Sequence, residues 1–182
     1  MPSGILYPYI FLFLLVPKIH KIIILFFLLT SMSLYGQNMH YKSLYIYNFA
    51  KKIEWPSSTM DSTFKIIIIG DKQSYLAMQN IAQKKRIGEQ RIIVMQAQDI
   101  KEEIDVQLIY VDYSKRKLLE EINEWIKNKP ILLISDYKNA KQTDINLIEN
   151  HEGLEFTIRS EKIKKKGLII SDQLLHLAKK EN

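Results

Sequence analysis

Ser171, Asp172 and His176 place a hydroxyl, a carboxylate and an imidazole within six residues, the side chains of acyl transfer through an activated serine. A triad needs those groups to converge on one substrate atom, which neighbours on a single helix cannot arrange. A surface ion pair between Asp172 and His176, one helical turn apart, is the simpler reading. His151-Glu152 falls in an expected turn with no second histidine near it, too few ligands for a metal. Glu102, Glu103 and Asp105 precede an expected strand and read as solvated charge. The chain has no cysteine, which removes thiolate catalysis, disulfides and cysteine-based zinc sites together. No catalytic group, metal or cofactor is expected.

Two constellations of another kind remain. Gly70-Asp71 and Ser135-Asp136 each close an apolar run, and open α/β sheets take ligands where their parallel strands end. Gly70, Asp71, Ser135 and Asp136 are therefore the candidate ligand-binding residues. There is no GxGxxG and no GKS or GKT, so a phosphate cradle is not expected. The second constellation is YIYNFAKKIEWP, residues 45–56. A helical stripe about 100° wide cannot hide all its aromatics. The surplus rings either lie against the C-terminal helix or the 55–62 loop, or form a docking patch. Tyrosine and tryptophan are common interface anchors, so Tyr45, Tyr47 and Trp55 are the candidate partner-binding residues.

Elements must position these groups. Ile46, Phe49, Ala50 and Ile53 follow the i, i+3, i+4, i+7 spacing of a buried stripe, predicting a helix over 40–54 that Pro56 ends. Residues 64–70, 91–96, 106–111 and 130–135 read as strands, the first and last as continuous apolar runs buried on both faces. Helices are predicted over 73–84, with Leu76, Met78 and Ile81 available for burial, and over 115–127, with Ser114 as N-cap. Alternation in 145–149 and 154–159 around Asn150-His-Glu-Gly153 predicts a hairpin. The tail reads as a helix over Ser160–Lys166, a break at Gly167, then a helix over 168–179. The fold class is α/β: a Rossmann-like, mostly parallel sheet flanked by helices, with a late antiparallel hairpin and a C-terminal helix. One such domain is expected over 40–180, with room for one and not two in 182 residues.

Residues 1–37 read as an address. Pro17-Lys-Ile-His-Lys21 leads into the apolar run Ile22–Leu29, followed by a more polar stretch ending at Gly36, the layout of a secretory signal peptide. The upstream run Ile5–Val16, interrupted by Pro8, is too short to span a bilayer as a helix. Either translation starts near residue 16 or 17, or residues 5–35 form an uncleaved anchor; both readings export the rest of the chain. The net charge of +6 is spread among interspersed acids except at Lys162-Ile-Lys-Lys-Lys166. That run reads as a solvated helix face, and no nucleic acid is expected as a partner.

The motif YIYNFAKKIEWP resembles the opening of the YfiR/HmsC-like family of exported proteins, where an aliphatic-Tyr-Asn-Phe helix runs into Glu-Trp-Pro. Phe64–Asp71, Pro130–Asp136, Ile145-Asn146 with Leu154-Glu-Phe156, and the tail Lys166–Ala178 agree with that family in order and spacing. The resemblance covers 41–179. It implies a periplasmic, non-enzymatic α/β protein that represses a membrane-bound diguanylate cyclase, whose release raises cyclic di-GMP and favours biofilm. A histidine kinase could take the cyclase's place, a small-ligand sensor is the alternative function, and a homodimer is a further option. Two features depart from the family: cysteines used as redox sensors are missing, and Lys141–Asp144 and Phe156–Arg159 replace its usual loop and strand end.

Overall fold

A computed structural model describes residues 38–56, 62–99, 105–138, 140–151 and 153–179. The expected signal peptide, and Glu102 and Glu103, lie outside the described residues. Helix α1 spans 38–52 and passes directly into β1 (Ile53–Glu54). Then follow β2 (Thr63–Ile69), α2 (Lys72–Ala82), β3 (Arg86–Ile87), β4 (Gln90–Ala97) and β5 (Leu108–Val111). A 3-10 turn, Tyr113–Leu118, leads into α3 (Leu119–Ile126), and β6 (Leu132–Ser135), β7 (Ile145–Asn150) and β8 (Gly153–Ile158) complete the large sheet. The chain closes with α4 (Ser160–Lys165), β9 (Ile169–Ile170) and α5 (Asp172–Leu177).

The seven strands run in the order β3-β4-β2-β5-β6-β7-β8. The five central strands pair in parallel, and β3 and β8 close the two ends antiparallel. Alternation splits β2 cleanly: Ile66 and Ile68 face one core, Ile67 and Ile69 the other. The first core is covered by α1 through Ile46, Phe49 and Ala50, by α2 through Met78 and Ile81, by Ile163 of α4 and by Leu174 of α5. The second lies under Leu119, Ile122 and Ile126 of α3. The α/β architecture, the mostly parallel sheet and the late hairpin are those read from the sequence.

The differences are local. Leu76 is exposed, because α2 turns only Ser74, Met78 and Ile81 fully inward. Ser114 is not the cap before α3: the Asp112 carboxylate accepts from the Ser114 N–H at 2.8 Å and starts a 3-10 turn instead. Residues 168–170 are not helical. Gly167 takes φ of 75°, which a Cβ would disfavour, and the chain leaves it extended so that Ile170 pairs with Ile53.

The basic run 162–166 is not a uniformly solvated face. Lys164 and Lys165 are exposed, but Lys166 is inside the protein. Its ammonium donates to the Asp144 carboxylate at 2.6 Å and to the Ile131 carbonyl at 3.0 Å, with both charged side chains 1% or less exposed. Lys162 is half-buried beside this pair and donates to the Gln142 carbonyl. Burial holds its amine down to about 8, with Lys166 and Arg159 adding to the effect and Asp144 opposing it. Because the unfolded amine titrates near 10.5, the unfolded chain holds the extra proton between those values. Stability should therefore rise as pH climbs through that window. Lys162→Gln should flatten the rise in urea midpoint between about pH 8 and 10; an unchanged slope would assign the proton to another group.

Candidate functional site

Two places gather polar and aromatic side chains. The first is a groove of about 620 Å³ between α1, β8 and α5, lined by Tyr45, Phe49, Phe156, Leu154, Leu174 and Leu177, with Lys52 and Lys179 also on its walls. The volume falls within the range of small-molecule and peptide clefts. Its floor is an aromatic cluster: Phe49 meets Phe156 edge-on at 4.9 Å, and Tyr45 meets each of them at 6.0 Å. Edge-on contacts of this kind add to the burial energy and fix ring orientation. Strand β8 is the last in the sheet, so its outer carbonyls face no strand. The Tyr45 hydroxyl donates to the Leu154 carbonyl at 3.0 Å and the Lys179 N–H to that of Phe156 at 2.8 Å. These bonds satisfy an edge that would otherwise recruit another strand. Leu177, 64% exposed, stands on the wall of the groove.

Of the three aromatic candidates, only Tyr45 lines this groove. Tyr47 reaches the other way, its hydroxyl donating to the Arg86 carbonyl of β3 at 3.2 Å. Trp55 folds back under α1, its indole N–H on the Ala50 carbonyl at 3.0 Å and its ring edge-on to Phe64 at 5.0 Å. The surplus rings of α1 pointed to the C-terminal helix as one place to lie, but nothing in the sequence signalled that β8 would join them through Leu154 and Phe156.

The second place is the C-terminal edge of the parallel strands. Moving outward from β2, the chain goes first to β4 on one side and then to β5 on the other, so the order reverses between β2 and β5. Doubly wound sheets bind ligands at such a reversal. Three adjacent strands end in an aspartate there: Asp71 after β2, Asp112 after β5 and Asp136 after β6. Asp71 accepts from the Ser74 N–H at 2.7 Å and caps α2. Asp112 accepts from the Ser74 hydroxyl at 3.2 Å. Asp136 accepts from the Tyr113 N–H at 2.7 Å and from the Lys42 ammonium at 2.7 Å, and Lys42 lies 3.6 Å from Glu149. Ser135 is buried, its hydroxyl accepting from the Tyr137 N–H at 3.1 Å.

All four ligand candidates thus lie at this edge, but Gly70 does not cradle anything. A Cβ on it would stand 2.7 Å from the Cβ of Asp112, so glycine lets the end of β2 pass the end of β5. Gly70→Ala should cost about 1–3 kcal/mol in urea unfolding; an unaltered midpoint would mean that Asp112 moves aside freely. Tyr110, Asp112 and Lys42 complete the edge and were not singled out in the sequence. The Val111-Asp112 junction repeats the strand-then-aspartate pattern of Ser135-Asp136 and could have been found by it.

A family model described as YfiR/HmsC-like matches residues 40–179, from α1 through α5 and including both places. The chain belongs to the YfiR/HmsC-like family. No curated protein matches it. In this YfiR/HmsC-like fold the opening helix therefore serves both places at once: Lys42 reaches the acidic edge, and Tyr45, Phe49 and Lys52 line the groove. Among the described residues, no helix is long and apolar enough to cross a membrane, and no three carboxylate or histidine side chains are placed to hold a metal ion.

Proposed function

We propose that this chain is an exported, non-catalytic regulator that binds and represses a membrane-bound sensor, a diguanylate cyclase, through the groove between α1, β8 and α5. The match to the YfiR/HmsC-like family over 40–179 carries the reading. The groove supports it physically: an apolar floor with a polar rim is the layout of a docking interface, and its preformed aromatic cluster lowers the ordering cost of binding. Its occupant is an apolar segment of the sensor's periplasmic domain. Tyr45 is the central contact; Tyr47 and Trp55 hold α1 against the sheet beside it.

The test is genetic and biochemical. Deleting the gene should raise cellular cyclic di-GMP, complementation should lower it, and the tagged protein should retain a cyclase from detergent-solubilised envelope. Cyclic di-GMP that ignores the deletion would sink the cyclase reading, and retention of a histidine kinase in its place would redirect it.

A further inference from the structure

We propose that the outer edge of β4 pairs with the same edge of a second copy of this chain, antiparallel about Met95, joining two sheets into one. The inference stands apart from the partner reading. The two ends of the sheet differ. At one end, Tyr45 and Lys179 occupy outer carbonyls of β8. At the other, β3 is two residues long and covers only Gln90 and Arg91 of β4. Among the described residues, no strand lies beside Ile92–Ala97 on that side.

Backbone alternation says what that edge offers. The Arg91 N–H donates to the Ser62 carbonyl at 3.2 Å, on the side of β2. Ile93, Met95 and Ala97 therefore turn their N–H and C=O groups the same way, and Val94 and Gln96 turn theirs outward. The edge also lacks the usual defences against another strand, which are a bulge, a proline or a charge. Its register with β2 runs without a bulge. Ile92–Ala97 holds no charged residue and no proline, and Ile93 is 42% exposed. An apolar, uncharged strand of this kind recruits another.

The register selects the occupant. Because β3 fills the place opposite Arg91, pairing must use Val94 and Gln96. A two-fold axis at Met95 sets Val94 opposite Gln96 of the second copy, and Gln96 opposite its Val94. These are two hydrogen-bonded pairs in which the outward groups of both residues find partners. Met95 then faces Met95 of the second copy and Ile93 faces its Ala97, so apolar residues meet across the seam. The same register sets Asp99, just past the strand, against Arg91 of the second copy, opposite charge on opposite charge. Strand β4 is thus complementary to itself, which selects a second copy over a strand of unrelated sequence. The contact leaves the groove beside β8, at the far end of the sheet, open in both copies.

Sedimentation equilibrium of the purified protein should show monomer and dimer in exchange. Ile93→Lys puts an ammonium on each half of the seam at an exposed position, and should weaken the dimer by about tenfold or more while leaving the monomer folded. Met95→Cys gives the cysteine-free chain a single thiol on the axis. A non-hydrogen-bonded pair there holds its Cα atoms about 4.5 Å apart, within disulfide reach. Under copper phenanthroline this variant should form a covalent dimer far faster than Tyr113→Cys, whose site is 52% exposed and away from the edge. A monomer at all concentrations, a dimer indifferent to Ile93→Lys, or equal cross-linking of the two cysteine variants would each overturn the proposal. The first of these would leave the edge to a strand of another protein.

Discussion

Asp144→Ala is expected to lower unfolding free energy by about 3–5 kcal/mol. The substitution leaves the Lys166 ammonium inside the protein with only the Ile131 carbonyl to receive it. It also orphans the Leu133 N–H, which donates to the same carboxylate at 2.7 Å. Lys166→Ala should cost a similar amount, since the carboxylate already carries one oxygen, Oδ1, without a partner. Burial drags the Lys166 pKa down while Asp144 pulls it back up, so the pair exists only because each member neutralises the other. Asp144→Leu combined with Lys166→Met should recover most of the loss, because removing both charges also removes their desolvation. Urea unfolding of the three variants reads this directly. Single variants within about 1 kcal/mol of wild type would mean that water reaches the pair.

The second large effect concerns docking. On the proposed function, Leu177→Glu should weaken retention of the membrane partner by about 30-fold, or 2 kcal/mol, and raise cyclic di-GMP towards the level of the deletion strain. Leu177 is mostly exposed, so the fold should lose less than about 0.5 kcal/mol. Tyr45→Phe is the counterpart: it deletes the bond to the Leu154 carbonyl and should cost about 1 kcal/mol of stability while leaving the aromatic floor in place. A Leu177→Glu protein that is stable and still captures its partner would move the interface off this groove.

The helix and strand periods made the architecture legible. The stripe Ile46, Phe49, Ala50 and Ile53 is buried throughout, and the apolar run in β2 lies at the centre of the sheet. Errors fell where a period was too short to register. The two-residue strands β1, β3 and β9 have no alternation to read, and leucines in 168–179 imitate a longer helix until Gly167 is seen to launch an extended segment. Lys166 looked solvated because its neighbours are; only its distant partner, Asp144, accounts for its burial. The four residues at the strand ends were readable from a general property of parallel sheets, whereas Tyr110 read as one more strand aromatic. The groove was the least legible: the surplus rings of α1 hinted at a contact with the C-terminal helix, but no local pattern says that β8 meets both.

The pairing of Ile53 with Ile170 has a bearing on how the chain is made. The ribosome delivers α1 before the elements it packs on, yet that helix rests on Phe156 and Leu174 and leads into β1, which pairs with β9 from late in the chain. Such distant pairings are slow to close. Helix α1 is thus made early but seated late, and the nascent polypeptide keeps that face open until β9 and α5 have been added.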